Sequence, residues 1–206
     1  MNTSISRRSA LLGLLALGFL ARPAAAEPPK REVATLAAGC FWSMEAIFKQ
    51  LKGVVKVEPG YSGGAVNNPS YEQVETGTTG HAEALNITFD PGVLSYKTLL
   101  TVLLTVRDPT TKDRQGPDEG PHYRSVVFYH SDAQKRATEE EFARINASHL
   151  WKNTIVTEIR PFRKFWRAED YHFDYYRLHP NQPYCKGVIA PEIAEFRARF
   201  KNLLKR

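Results

Sequence analysis

Cysteine is scarce in this chain: only two of its 206 residues are cysteines, Cys40 and Cys185. They form neither a Cys-x-x-Cys pair nor a Cys/His spacing that would hold zinc, so we expect no metal site. Internal repeats and low-complexity tracts are also absent, which excludes repeat architectures. The one long apolar run, over residues 10–21, is shorter than the roughly 20 residues that cross a bilayer and needs another explanation.

Residues 1–26 supply that explanation, because their composition differs from the rest of the chain. Arg7 and Arg8 precede the apolar run, and three alanines at 24–26 follow it. This order of basic, apolar and small residues predicts an export signal similar to the twin-arginine type. We therefore expect a single domain over residues 27–206, in the periplasm or another extracytoplasmic compartment, with no stable membrane association once the signal is removed.

Positive charge is modest once this leader is removed. The whole chain has a net charge of +6, and the leader holds three arginines and no acid, so the remaining chain carries +3. A surplus this small is untypical of nucleic-acid-binding domains. The remaining length is enough for one domain with its own core. We expect a monomer without a nucleic-acid partner.

The stretch around Cys40 predicts a reactive thiol. Apolar residues follow it at helical spacing and Gly53 ends the pattern, which places Cys40 at or just before the first turn of a helix. The unpaired N–H groups at a helix start favour an anion, so we expect a lowered pKa for this thiol. We expect the side chains of Phe41 and Trp42 to form the wall of a small apolar pocket. The alternative is a buried cysteine without chemistry.

Cys185 lies in a stretch rich in Pro, Asn and Gly, residues 179–187, which predicts mobile surface coil. In an exported protein, one structural disulfide between Cys40 and Cys185 is a simple hypothesis, and it would stabilise the fold by roughly 5 kcal/mol on the chain-entropy model. A helix-start thiol and a second thiol on a mobile arm are instead typical of a nucleophilic and resolving pair. The residues alone leave both hypotheses open.

Residues 83–89 alternate in a way that predicts a strand. Leu85, Ile87 and Phe89 share one face. Glu83 is two residues before Leu85, so it would lie on the same face if it belongs to the strand. If the strand extends back to Glu83, burial raises the pKa of its carboxyl and keeps it protonated near neutrality. If the strand begins later, the carboxyl lies in solvent. Further helices are predicted over 95–106, 131–149 and from residue 191, and further strands over 54–57, 123–129 and 155–159.

Five motifs, in this order, resemble the peptide methionine sulfoxide reductases of the MsrA type. They are residues 39–45 (GCFWSME), 60–64 (GYSGG), 80–83 (GHAE), 118–125 (DEGPHYRS) and 184–185 (YC). The resemblance covers about residues 33–200. It implies an α+β fold: a two-layer α/β sandwich, with a ferredoxin-like mixed sheet flanked by helices and a long coiled C-terminal arm.

The resemblance also implies an activity, the reduction of methionine-S-sulfoxide, free or in oxidised proteins, to methionine without a cofactor or metal. The implied site comprises the nucleophile Cys40, the methyl-binding Phe41 and Trp42, the proton donor Glu83, the supporting Tyr71, Tyr123 and Asp118, and the resolving Cys185. A thioredoxin or thioredoxin-like protein would reduce the disulfide that ends each cycle.

The chain departs from the family at three positions. The family usually has His-Asp-Pro where this chain has Arg107, Asp108 and Pro109, and polar residues are more usual where Pro117 and Pro121 stand. With no third cysteine, a two-step thiol relay is excluded.

Two other functions remain open at this point. Cys40 with His81 or His172 would make a cysteine hydrolase, which would act without a reductant. A structural Cys40–Cys185 bond would make a non-enzymatic exported domain, which would turn over no sulfoxide.

Overall fold

A computed structural model describes residues 30–205 of the chain, and the predicted export signal lies outside the described residues. The strands are β1 (Glu32–Ala37), β2 (Val54–Ser62), β3 (Ala82–Phe89), β4 (Arg114–Gln115), β5 (Asp118–Glu119), β6 (Val126–Tyr129), β7 (Glu158–Pro161) and β8 (Phe165–Arg167). The α-helices are α1 (Phe41–Phe48), α2 (Tyr71–Glu75), α3 (Tyr96–Val106), α4 (Asp132–Ala147), α5 (Tyr175–Leu178) and α6 (Ala190–Arg199).

Six of the strands form one mixed sheet in the order β7-β6-β1-β3-β2-β8. Its four inner strands, β6-β1-β3-β2, are joined antiparallel, and α1 and α3 connect them as two interleaved βαβ units. This is the ferredoxin-like arrangement, so the predicted α+β fold is confirmed. Strand β7 adds in parallel at one edge and β8 adds antiparallel at the other.

The sheet must curl, because its two edge strands are consecutive in the chain. Only residues 162–164 join the end of β7 to the start of β8. In a flat sheet five strand spacings would separate them by roughly 24 Å, whereas four Cα steps reach at most about 15 Å. The curl gives the sheet two unequal faces, a broad face covered by helices and a small enclosed one.

The core divides between these two faces. Leu85, Ile87 and Phe89 of β3 point into the larger cluster, beneath α1, α3 and α6, as their alternation predicts. Ala82 and Ala84 point the other way, into the smaller cluster. The strand does extend past Glu83, so this carboxyl lies on the broad face.

Two predicted strands are displaced in the structure. The strand expected from Tyr123 begins only at Val126, because Gly120, with φ 142°, and the proline after it start a 3-10 turn over Pro121–Tyr123. The strand expected over 155–159 is β7, which starts at Glu158. Predicted helices α3 and α4 begin where expected, each capped by a serine side chain.

The segment after β8 wraps across α1 and then becomes helical. Residues 177–183 are exposed, as the predicted surface coil requires, but Cys185 is fully buried. It opens a π-helical turn, Cys185–Ile189, that runs directly into α6. Placing Cys185 itself on mobile coil was therefore wrong.

Among residues 30–205, no helix combines the length and the apolar character that crossing a membrane requires. Nor do three or more His, Cys, Asp or Glu side chains converge, in this part of the chain, in a way that would hold a metal ion.

Candidate active site

Cys40 lies in the tight joint between β1 and α1, as the N-cap residue of the helix. Gly39 makes the joint possible: its φ of 79° is in the left-handed region, and a Cβ there would lie 2.5 Å from Gln115 Cβ. The Gly39 N–H donates to the Tyr123 carbonyl at 3.1 Å, which fixes the loop. Cys40 is only 5% exposed and its thiol is free, as is that of Cys185.

The resting thiol does not have the lowered pKa that the helix start predicts. Burial raises the pKa of Cys40 well above its ordinary value, and the nearby Glu83 carboxyl adds to the increase. The Trp42 N–H, the Tyr184 side chain and Arg107 act in the opposite direction but do not outweigh burial. Cys40 is therefore a protonated thiol in this closed form.

Glu83 lies at the same helix start. Its Oε2 accepts a hydrogen bond from the Phe41 N–H at 2.9 Å, and the residue is 1% exposed. Burial, with smaller contributions from Asp118 and Glu75, raises the pKa of Glu83 to about 8, against the effect of the Phe41 hydrogen bond. The carboxyl thus carries a proton at neutral pH, which is the alternative expected if the strand extends back to Glu83.

Two phenols flank this carboxyl. Burial, and then the charge of Glu83, raise the pKa of both Tyr71 and Tyr123 well above the usual value, so both remain proton donors across the physiological range. Tyr71 is the first residue of α2, whose capping box is formed by Ser70 and Gln73. Its backbone N–H donates to Glu169 Oε1 at 2.8 Å, which ties the helix to the C-terminal segment.

Asp118 joins the site through Tyr184, which belongs to one of the five motifs but had no expected role in the site. The Tyr184 hydroxyl donates to Asp118 Oδ2 at 2.6 Å. Burial, followed by the charges of Cys40 and Asp118, raises the pKa of Tyr184 far above its usual value. Tyr184 therefore closes the site over Cys40, and its place beside Cys185 in the sequence is the signal that could have identified it.

Phe41 and Trp42 are neighbours with different roles. Phe41 is fully buried among the rings of Tyr61, Tyr71 and His172, with ring centroids 4.8–6.4 Å away. Trp42 is half-buried and stacks on Tyr175 at 3.7 Å with an interplanar angle of 7°. In this closed form Trp42 is the more accessible part of the apolar wall, and Phe41 supports it from behind.

Neither candidate histidine contacts the nucleophile. The ring of His81 accepts a bond from the Gly64 N–H at 3.1 Å and contacts the Val66 carbonyl at 2.8 Å, so it holds a loop. Nδ1 of His172 accepts from Trp42 Nε1 at 3.0 Å, and burial lowers the pKa of this imidazole to about 4. Both ring nitrogens of His81 are occupied and His172 positions Trp42, so the hydrolase arrangement is not formed.

Arg107 approaches Cys40 from the end of α3. It is 2% exposed, and its Nη2 donates to the Cys40 carbonyl at 3.2 Å. Its Nη1 pairs with Glu192 in the first turn of α6. The sequence marked Arg107 as unusual for the family but assigned it no contact.

Together these groups suit one kind of reaction. A thiol, a protonated carboxyl and phenols lie close together beside an apolar wall. A thiol can attack an electrophilic centre there while a neighbouring acid protonates the oxygen that leaves. Apolar rings can orient a group that has no polar handle.

Comparison with known proteins agrees with this chemistry. A family model described as "Peptide methionine sulfoxide reductase" matches residues 32–204. "Peptide methionine sulfoxide reductase MsrA" of Thermus thermophilus is 52% identical over 174 residues, which cover 84% of this chain and 98% of the relative.

Solved structures of a yeast protein are also similar. Mxr1 from Saccharomyces cerevisiae in reduced form matches with a TM-score of 0.71 and 35% identity, over 77% of this chain and 91% of Mxr1. The structure of Mxr1 in complex with Trx2 matches with a TM-score of 0.51 and 27% identity, over 72% of this chain and 87% of the matched chain. The described fold is thus one that solved structures share.

Proposed function

This chain belongs to the peptide methionine sulfoxide reductase family, and we propose that Cys40 and Glu83 carry out its reaction at the shared helix start. The protein is a peptide-methionine (S)-S-oxide reductase of the MsrA type, which reduces methionine-S-sulfoxide to methionine with thiols as the source of electrons. One observation carries the assignment of roles. The free, buried thiol of Cys40 lies next to Phe41, and the Phe41 N–H donates at 2.9 Å to the buried carboxyl of Glu83, which keeps its proton.

The substrate's methyl group would lie against Trp42. A sulfoxide methyl has no hydrogen-bonding group, so only an apolar surface can orient it. His172 fixes the indole through Nε1, and Tyr175 supports it by stacking. Because Cys40 is 5% exposed, Tyr184 has to move aside before the substrate can reach the sulfur.

The chemical step transfers one oxygen atom. The sulfur of Cys40 attacks the sulfoxide sulfur, and Glu83, with Tyr71 and Tyr123, donates a proton to the oxygen as charge develops there. The protonated oxygen then leaves the substrate sulfur and bonds to the sulfur of Cys40 as the bond between the two sulfurs breaks. Methionine departs, Cys40 is left as a sulfenic acid, and the proton lost by the Cys40 thiol restores the neutral Glu83. A neutral Glu83 matters twice, because an ionised carboxylate could not donate and would oppose a thiolate at Cys40.

The second step regenerates the thiol. Cys185 attacks the sulfenic acid, a disulfide forms and water leaves with the oxygen. A thioredoxin-like protein then reduces the disulfide by thiol exchange. The complex of Mxr1 with Trx2 supports this kind of partner. Burial raises the pKa of Cys185, so its segment has to open before the attack.

A turnover assay on the two epimers of methionine sulfoxide, with dithiothreitol as reductant, tests the proposal. We expect reduction of the S epimer alone and no turnover without dithiothreitol. Cys40→Ser is the matched control, since it keeps the size of the side chain but not the nucleophile. Turnover without a reductant would support a hydrolase, and equal loss of both epimers would contradict the assignment.

We also propose that residues 1–26 direct the protein out of the cytoplasm, where it would repair oxidised proteins. The support is the basic, apolar and small-residue order of the leader. The reductant would then be a thioredoxin-like protein of the same compartment.

A further inference from the structure

A buried guanidinium connects the nucleophile to the helix that follows the second cysteine. Arg107 binds the Cys40 carbonyl through Nη2 and Glu192 through Nη1. The other carboxylate oxygen of Glu192 accepts from the Ser43 hydroxyl on α1. One ion pair therefore ties together the end of α3, the start of α1 and the start of α6.

Because this ion pair is largely buried, its two charges interact strongly with neighbouring groups. The side chain of Arg107 is 3% exposed and that of Glu192 is 24% exposed. Charges removed from water interact more strongly than charges on the surface. The guanidinium also keeps an unpartnered Nε–H, so Glu192 and the Cys40 carbonyl do not use all its donors.

The other groups around the Cys40 thiol are neutral or acidic. Glu83 faces it from β3, Tyr123 from the 3-10 turn, and Tyr184 from the C-terminal segment, where it is held by Asp118 of β5. Within residues 30–205, Arg107 is the cation among the groups that act on the pKa of this thiol. A thiolate formed here therefore depends on Arg107 for opposite charge.

We propose that the Arg107–Glu192 pair positions the nucleophile and sets its charge: Arg107 stabilises the Cys40 thiolate, and Glu192 limits that stabilisation. The inference rests on the proposed function only in that Cys40 is the nucleophile. It makes Arg107 and Glu192 positioning residues, since neither touches the reacting atoms.

Two substitutions should act with opposite sign. Arg107→Met removes the cation and leaves Glu192 as an uncompensated anion, so the thiolate becomes harder to form. Glu192→Gln keeps the bond to Ser43 but removes the charge that offsets Arg107, so the thiolate becomes easier to form. A pair that only held the fold together would respond to both changes in the same direction.

The test is the rate of Cys40 alkylation by iodoacetamide at a fixed pH of about 8, below the raised pKa of the thiol, followed by mass spectrometry in a Cys185→Ser background. Burial keeps the Cys40 thiol mostly protonated at this pH, so the rate is proportional to the thiolate population. We expect the rate to fall about tenfold in Arg107→Met and to rise about tenfold in Glu192→Gln, which corresponds to about one pKa unit each way. Arg107→Lys keeps the charge and should lie near the parent. Thermal melts of each variant check the fold.

Alkylation rates that change in the same direction in both variants, or do not change at all, would overturn the proposal. If Arg107→Met does not fold, a faster alkylation in Glu192→Gln and a nearly unchanged rate in Arg107→Lys still decide it. Alkylation needs no sulfoxide, so loss of sulfoxide reduction in the wild type would refute the proposed function without changing this result.

Discussion

Replacing Glu83 with glutamine should stabilise the folded protein while it slows the reaction. The glutamine amide oxygen can still accept the 2.9 Å hydrogen bond from the Phe41 N–H, so the turn should keep its shape. Glutamine cannot donate a proton as an acid does, and we expect the rate of sulfoxide reduction to fall about 10²- to 10⁴-fold. The gain in stability has a separate origin: the variant has no buried carboxyl, so it avoids the free-energy cost of ionising one.

That cost follows from the pKa of Glu83, which is raised from 4.5 to about 8 by burial. Between these values the folded state binds more protons than the unfolded state, so wild-type stability falls as pH rises through the window and levels off above it. The raised pKa of Glu83 lowers the free energy of unfolding of the wild type by about 5 kcal/mol above pH 8 and by about 1 kcal/mol near pH 5. The glutamine variant does not have this dependence.

Urea unfolding of the reduced proteins across pH 5 to 9 measures the difference. We expect the free energy of unfolding of Glu83→Gln, relative to that of the wild type, to increase by about 4 kcal/mol from pH 5 to pH 9. Glu139→Gln is the matched control, because that side chain lies on α4 and is 51% exposed. A gap between Glu83→Gln and wild type that is constant with pH would refute the proposal that the carboxyl is kept protonated by burial.

The remaining predictions concern the thiols, the apolar wall and the leader. Cys40→Ser should abolish sulfoxide reduction while the melt stays within a few degrees of wild type; residual turnover would remove Cys40 from the mechanism. Cys185→Ser should reduce about one equivalent of substrate per enzyme and then stop with thioredoxin, because no disulfide forms; full thioredoxin-linked turnover would show that Cys185 is dispensable. Trp42→Ala should raise KM about tenfold, with Trp42→Phe closer to wild type; an unchanged KM would contradict the methyl-binding role. Mass spectrometry of the exported protein should find Glu27 at its N-terminus, whereas a cytoplasmic chain that retains residues 1–26 would contradict export.

The features that the sequence predicted correctly depend on local periodicity. The helix after Cys40 follows from the three- and four-residue spacing of Phe41, Met44, Ile47 and Phe48, all of which are buried. The position of Glu83 follows from two-residue alternation along β3. Such patterns describe the face a side chain takes within its own element, and they need no knowledge of its neighbours.

The features that it missed depend on contacts between distant segments. The composition around Cys185 predicts coil, but packing against the main core buries the residue and begins a helical turn. The helix start predicts a lowered pKa for Cys40, but burial outweighs it. Arg107 and Glu192 are 85 residues apart in the sequence, and no local pattern could pair them.

The closed site explains how the first chemical step can prepare the second. In the reduced form Cys40 and Cys185 are both buried, and the Tyr184 hydroxyl covers the nucleophile from the residue next to Cys185. Formation of the sulfenic acid adds an oxygen atom to the sulfur of a residue that is only 5% exposed. Adding volume to a packed site forces neighbouring groups to shift. Tyr184 follows the exposed residues 177–183, so we expect the added oxygen to displace this segment and bring Cys185 out of the core toward Cys40.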